Sequence, residues 1–137
     1  MRGFWIVLFL FLPTVLFAQS RDSVFSGYEE YSAFVDEKIM GRDFVPLIQF
    51  LGGRDEYTSQ QLDSLNEQFL SFFSLDFENR TIFLEEDLGG DIKREARAYW
   101  TGEAYVYFYA VFHVRGQELV VLNFYVNTSL ATIMSKI

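Results

Sequence analysis

The side chains best suited to acid–base chemistry are a single histidine and three tyrosines in one segment of the chain. His113 is the only histidine, and the alternation of a strand would place it on the same face as Tyr105, Tyr107 and Tyr109. A histidine acting as general base needs a carboxylate or tyrosine partner within hydrogen-bond reach, and one histidine cannot supply a histidine-rich metal site. An imidazole packed or half exposed at the end of a strand is the simpler interpretation, so we assign no catalytic residue.

The same tyrosines could line a cavity for a small apolar ligand. Their hydroxyl groups would be donors on an otherwise apolar wall. A packed core whose hydroxyls reach the rim is the alternative, and the sequence favours it because no converging polar groups are evident. The candidate ligand-binding residues are Trp100, Tyr105, Tyr107, Tyr109, His113 and Phe124.

Oxygen ligands for a metal ion are concentrated at Glu85, Glu86, Asp87 and Asp91. Their spacing is not that of a dedicated calcium loop, so a solvated, charged turn is the better interpretation. The sequence contains no cysteine, which excludes disulfides, thiol catalysis, cysteine-ligated metals and a lipid-modified cysteine. We therefore expect no metal site and no cofactor.

The candidate residues depend on one predicted strand, Ala104–Val114 (AYVYFYAVFHV). Its aromatic and β-branched residues alternate with a period of two and leave both faces largely apolar. An edge strand in water could not tolerate two apolar faces, so we place it centrally in an antiparallel sheet. Short turns predict a four-stranded meander made of Arg80–Glu86, Ile92–Trp100, Ala104–Val114 and Glu118–Asn127.

Helical spacing of apolar residues precedes the strands and predicts three helices. The first begins at Tyr28 and ends before Gly41, and a short second helix ends at Gly52-Gly53. The third begins with a capping box formed by Thr58 and Gln61. The fold class is therefore α+β, with N-terminal helices packed on one face of a curved four-stranded antiparallel meander and a short C-terminal helix within residues 130–137.

The hairpin registers predict which face of the sheet the helices cover. A two-residue loop at Gly102-Glu103 sets Trp100 opposite Tyr105 and places small alanines opposite the next two tyrosines. The other face of the second strand carries charged residues, which suits solvent, so we expect the helices to cover the tyrosine face. The opposite face would then be exposed, with candidate interface residues Phe108, Phe112, Val121 and Tyr125. An apolar face of that extent predicts a homodimer or a docked protein partner, unless the segment Leu130–Ile137 covers it.

The order of helix, short helix, capped helix and antiparallel meander resembles that of small exported members of the nuclear transport factor 2-like superfamily, an α+β (cystatin-like) roll. The resemblance is carried by Phe34–Ile39, the break at Gly41-Arg42-Asp43, the box Thr58–Gln61, and the strands between Arg80 and Asn127. It implies a reduced form of the roll, in a superfamily where sheet-to-sheet dimers are common. Enzymes of that superfamily hold acid–base residues inside the roll, but none of those roles transfers to a residue of this chain, and fold alone does not imply function.

Residues 1–18 have the pattern of a secretory signal peptide, with Arg2, an apolar run from Phe4 to Phe17, and Ala18 before Gln19. The run is shorter than the ~20 residues of a membrane-spanning helix and contains Pro13, so we expect cleavage rather than retention as an anchor. Residues 19–27 predict a flexible spacer and residues 28–137 a single domain. The predicted location is the periplasm or the cell exterior.

The chain has 11 Lys and Arg against 19 Asp and Glu, for a net charge of −8. Such a surface repels phosphate backbones, so nucleic acid is not an expected partner. No second apolar span follows residue 18, so we expect no membrane contact after cleavage. The sequence favours a non-enzymatic exported domain that binds a small apolar ligand or a protein partner through its aromatic-rich sheet. The alternative is a small isomerase or hydrolase that uses His113 or a buried carboxylate.

Overall fold

A computed structural model of the protein describes residues 21–53 and 56–137, so the predicted signal peptide lies outside the described residues. The strands form one antiparallel sheet in the order β1-β5-β4-β3-β2. The elements, in chain order, are β1 (Val24–Phe25), α1 (Tyr28–Met40), α2 (Phe44–Ile48), a π-helical turn (Gln49–Gly53), α3 (Ser59–Phe72), β2 (Asn79–Gly89), β3 (Ile92–Thr101), β4 (Ala104–Arg115), β5 (Glu118–Asn127) and α4 (Leu130–Met134). The predicted α+β class is confirmed, with a sheet of five strands rather than four.

The central position of β4 follows from its two apolar faces and is confirmed. It pairs with β3 on one side and β5 on the other, and Trp100 lies opposite Tyr105 as the two-residue turn predicts. The capping box is also present, because the Thr58 hydroxyl accepts the Gln61 N–H while the Gln61 side chain accepts the Thr58 N–H.

The fifth strand, β1, lies within the segment that predicts a spacer. Val24 pairs with Val120 and Phe25 with Leu119. The Phe25 ring is 3% exposed and lies 5.5 Å from the Tyr31 ring and 5.2 Å from the Phe50 ring, centroid to centroid. Burying one such aromatic side chain contributes about 1.5–3 kcal/mol, which offsets much of the backbone entropy lost on fixing the two residues of β1, about 1–2 kcal/mol each. Residues 24–25 are therefore part of the sheet, with Phe25 in the core, and not a flexible spacer.

The helices cover the face of the sheet opposite to the predicted one. Val106, Phe108 and Phe112 are 0%, 0% and 3% exposed, and they share one core cluster with residues of α1 and α2. Val121 belongs to the same cluster. The prediction that Phe108, Phe112 and Val121 lie on an exposed interface face is therefore wrong. The error came from treating the charged residues of β3 as solvent-facing, whereas Glu95 and Arg97 are buried beneath α1.

A β-bulge in β5 reverses the expected faces of two further residues. Val111 pairs with Asn123 and Phe112 with Val121, so β5 contributes one extra residue, Leu122, between these pairs. Beyond the bulge, Phe124 packs against the helix-side core. Tyr125 instead lies opposite Tyr109, and the two rings stack at 6.3 Å. Without the extra residue, each of these side chains would be on the face that the sequence predicts.

Helix α4 packs on the tyrosine face, so the alternative in which Leu130–Ile137 covers the opposite face is wrong. Ile133 is fully buried in a small cluster with Ala96 and Tyr109. Ser129 caps the helix by accepting the Thr132 N–H. Only one end of the tyrosine face is covered in this way, because Tyr105, at the other end, remains 40% exposed.

Candidate functional site

A buried ion pair on β3 is the most unusual feature of the core. The side chains of Glu95 and Arg97 point towards the helices, and the residues are 2% and 0% exposed. The Arg97 Nη2 and Nε atoms lie 2.7 and 2.8 Å from Glu95 Oε1. Removing two charges from water costs roughly several kcal/mol per ion, which their attraction offsets only when additional hydrogen bonds are present.

Side chains of α1 and β3 supply those hydrogen bonds. The Tyr31 hydroxyl donates to Glu95 Oε1 at 2.7 Å, and the Tyr28 hydroxyl donates to Oε2 at 2.8 Å. Tyr28 and Tyr31 are three residues apart, so they lie on the same side of α1. Both oxygens of the buried carboxylate are therefore occupied by donors from the helix.

Asp36 completes the network one to two turns further along α1. Its Oδ1 atom accepts from Arg97 Nη1 at 2.9 Å and from the Tyr99 hydroxyl at 2.6 Å. Arg80 of β2 contacts the other oxygen, with Nε 3.4 Å from Oδ2. We name as the Glu95 cluster the six residues Tyr28, Tyr31, Asp36, Glu95, Arg97 and Tyr99.

Burial is the first cause of the shifted pKa values in this cluster. The pKa of Tyr28 is raised to about 12, first by burial and then by the hydrogen bond to Glu95 and the charge of Glu95. The pKa of Tyr31 is also raised by burial and then by the Glu95 charge. For Tyr99, burial raises the pKa, the Arg97 charge opposes the increase, and the hydrogen bond to Asp36 supports it. The three hydroxyls therefore keep their protons at neutral pH and act as donors.

The Glu95 cluster is chemically complete as it stands. Among the residues that the structure describes, no buried side-chain nitrogen or oxygen lacks a hydrogen-bond partner. A general base must accept a proton from a substrate, but both Glu95 oxygens already accept hydrogen bonds from tyrosines. The arrangement is suited to clamping α1 onto β3 rather than to proton transfer. A cleft of about 370 Å³ borders the cluster, with Tyr28, Lys93 and Phe112 among its lining residues.

A larger opening, here called the helix–sheet cleft, lies between the π-helical turn, α3 and β5. Its volume is about 570 Å³, which is within the range of small-molecule sites. Leu62 is the only buried residue of α3, and Phe69 stacks on Phe44 of α2 at 4.4 Å. Helix α3 thus packs on α2 and leaves space beside the sheet. The apolar side chains of the lining are Ile48, Leu51, Leu65, Phe69, Val121, Leu122, Phe124 and Val126.

A group of aromatic rings lies on the open end of the tyrosine face. The Trp100 and Tyr105 rings stack at 5.7 Å, the Tyr105 and Tyr107 rings at 6.1 Å, and Phe83 meets Tyr107 edge-on at 6.5 Å. Phe83 and Tyr105 are each 40% exposed. We call these four residues the aromatic patch.

The sequence-predicted ligand residues are divided between these places. Phe124 lines the helix–sheet cleft, whereas Trp100, Tyr105 and Tyr107 are in the aromatic patch. Tyr109 is buried beneath α4. His113 is half-buried at the end of β4, opposite Ile92 and Val120, on the face of the sheet away from Glu95. The structure thus does not bring the six residues together into one site.

The Glu95 cluster is not among the residues that the sequence predicts as a site. One signal for it is present in the chain: Glu95, Arg97 and Tyr99 alternate with small alanines on β3. A strand that has alanines on its supposed core face and large polar residues on the other can be read in the opposite orientation. The acidic and tyrosine residues of α1 would then be available as partners.

Within residues 21–53 and 56–137, no group of acidic or histidine side chains has the arrangement of a metal site. No helix of that same part of the chain is long and apolar enough to span a bilayer. Comparison of the sequence with protein-family models finds no family that matches, and neither curated proteins nor solved structures show a significant similarity to it.

Proposed function

We propose that this chain is an exported, non-enzymatic domain that binds a small apolar molecule in the helix–sheet cleft. The observation that carries the proposal is the cleft itself, which has about 570 Å³ of space and a lining of both apolar and polar side chains, eight of them aliphatic or phenylalanine. Sites of this kind gain affinity from burial of apolar ligand surface and orient the ligand with a few polar groups. Ser23, Tyr57 and Asn123 are among the neutral polar residues of the lining that could serve that purpose.

The net charge of −8 restricts the class of ligand. A strongly acidic surface lowers the local concentration of anions and raises that of cations. A neutral or cationic amphiphile therefore fits better than a fatty acid or another anionic lipid. Export remains part of the proposal and rests on the signal-peptide pattern of residues 1–18.

The neutral fluorophore N-phenyl-1-naphthylamine tests this function directly. We expect its fluorescence to rise on binding to the purified chain, and the anionic analogue 8-anilino-1-naphthalenesulfonate to bind more weakly. Leu65→Glu, which puts a charge into the half-buried wall of the cleft, should weaken binding at least about tenfold, a loss of ~1.4 kcal/mol. Leu70→Glu is the matched control, since Leu70 is on the same helix, 39% exposed and not in the lining. Equal binding by the two variants would refute the assignment of the ligand site to the helix–sheet cleft. The absence of any fluorescence increase with the wild-type chain would refute it as well.

The alternative function, a small isomerase or hydrolase, receives less support from the geometry. Glu95 is the buried carboxylate that such an enzyme would use, but its oxygens are engaged by Tyr28 and Tyr31. His113 lies on the opposite face of the sheet and cannot act together with it. The binding function requires neither a free Glu95 carboxylate nor contact between Glu95 and His113.

A further inference from the structure

The outer edge of β2 has no partner strand within the described residues. β2 is the last strand of the sheet order, and most of its eleven residues are exposed. A long edge of this kind is a template for another strand, and natural proteins usually protect it with bulges or charges. β2 has both features. Its pairing with β3 shifts register between Ile82 and Leu84 and again between Asp87 and Gly89, which marks bulges, and the strand also carries charged residues.

The charges on this edge are divided between its two ends. Arg80 is near the start of β2, and Glu85, Glu86 and Asp87 are near its end. A uniformly acidic edge would repel a second acidic strand along its whole length. A divided edge repels a parallel copy of itself but is complementary to an antiparallel copy, because a two-fold axis places the basic start of one strand beside the acidic end of the other.

Side-chain direction selects one register for this pairing. Arg80 lies opposite Tyr99 and Glu85 opposite Glu95, so both point to the helix side of the sheet. Residues that are directly opposite each other in a sheet share a face. Glu85 makes no ion pair with the described residues, and Arg80 has only the 3.4 Å contact to Asp36. Glu85 is thus the acidic residue of β2 most available to an incoming arginine.

We propose that two copies of this chain join edge to edge through antiparallel pairing of their β2 strands, with Arg80 of each copy opposite Glu85 of the partner subunit. In this register residues 79–86 of the two strands lie side by side, and the axis passes between Ile82 and Phe83, at the bulge of each strand. The bulge is what brings Arg80 and Glu85, which are an odd number of positions apart, onto the same face. Phe83 is 40% exposed, so the pairing places a large apolar side chain from each copy at the centre, where interface hot spots concentrate. The β2 edge is remote from the helix–sheet cleft, so this dimer does not depend on the proposed ligand.

Charge reversal tests this pairing by sedimentation equilibrium of the purified chain. Glu85→Arg alone brings arginines together at both ends of the interface, and Arg80→Glu alone brings glutamates together. We expect each single variant to dimerise at least about tenfold more weakly than the wild type, ~1.4 kcal/mol. Glu103→Arg, which makes the same charge change in the exposed β3–β4 turn, should dimerise like the wild type.

Mixing the two single variants provides the decisive measurement. One subunit then carries two acidic residues and the other two arginines, so both cross-subunit pairs are attractive again. We expect an equimolar mixture to form a heterodimer at concentrations where each variant alone is monomeric, and this recovery cannot arise if either variant is unfolded. A mixture that stays monomeric would overturn the register. A wild-type chain that remains monomeric at about 200 µM would have a dimer Kd above that concentration, and this result would overturn the dimer.

Discussion

At the scale of single residues, the burial of Arg97 is the feature with the greatest energetic consequence. Its guanidinium contacts Glu95 and Asp36, and it lies over the Tyr31 ring with Cζ 5.4 Å from the ring centroid. Burial lowers the pKa of Arg97, but the Glu95 charge together with Tyr99 and Tyr31 outweighs this effect, so the pKa is raised overall and the group stays charged. The positive charge of Arg97 compensates the negative charges of both carboxylates, so removing it leaves uncompensated negative charge in the core.

Arg97→Met should therefore lower the free energy of unfolding by about 3–5 kcal/mol, because Glu95 would be left as a buried charge without its partner. Arg80→Met is the matched control. Arg80 also contacts Asp36, but its side chain is 36% exposed, so its loss should cost only about 0–1 kcal/mol. Urea denaturation of both variants provides the measurement. Equal losses in the two variants would show that the buried position of Arg97 does not increase its contribution to the free energy of unfolding.

At the scale of elements, the attachment of α1 to β3 is polar where an aromatic-rich core would suggest apolar packing. Tyr28 and Tyr31 connect the first turn of α1 to Glu95, and Asp36 connects its middle to Tyr99 and Arg97. Directional hydrogen bonds set the position of the helix along the strand more strictly than apolar contact does. The same bonds make the attachment dependent on tyrosine protonation.

Stability should consequently decline in alkaline solution. The pKa of Tyr28 is about 12 in the folded chain against 10.0 for an unperturbed tyrosine, and that of Tyr31 is raised as well. Above pH 10 the unfolded chain releases protons that the folded chain retains, so the free energy of unfolding falls as pH rises towards 12. Below pH 10 this contribution is fully present. Urea titrations between pH 8 and 11.5 should show the decline, and Tyr31→Phe should make the slope shallower.

An unchanged slope in Tyr31→Phe would contradict the assignment of the alkaline sensitivity to this attachment. Thr58→Ala is a suitable control, because it weakens the cap of α3, by about 1 kcal/mol, without touching a titrating group. It should lower stability equally at every pH in the range.

At the scale of the whole molecule, the helices pack on the face of the sheet that carries Glu95 and Arg97. That face can be the core because side chains of α1 pair with both residues. Phe112 is 3% exposed and its ring lies 5.2 Å from the Tyr31 ring. Tyr105, near the start of the same strand, β4, is 40% exposed on the other face. One strand therefore supplies both the core layer and the open aromatic patch.

Phe112→Glu should abolish folding or cost more than about 4 kcal/mol, because it buries a carboxylate close to Glu95. Tyr105→Glu is the matched variant and should change the free energy of unfolding by no more than about 1 kcal/mol, since its side chain reaches solvent. Thermal and urea unfolding would measure both. A folded, stable Phe112→Glu protein together with a destabilised Tyr105→Glu protein would mean that the opposite face is the core.

What the sequence by itself determined was local. The period of two around Val106 and Phe108, the glycine turn at Gly102 and the capping box at Thr58 each involve residues close in the chain, and each has the predicted form. These features depend on backbone geometry and on neighbouring side chains, so a linear pattern contains enough information to predict them.

Only the tertiary structure decided which face of the sheet is buried. Glu95 and Arg97 look solvent-facing in isolation, and their burial depends on Tyr31 and Asp36, which lie about sixty residues earlier in the chain. The faces of Phe124 and Tyr125 depend on the single extra residue at Leu122, which becomes evident only when β4 and β5 are paired. A strand with two largely apolar faces does not by itself select one of them, because the free energy of burial depends on what the rest of the chain places against each face.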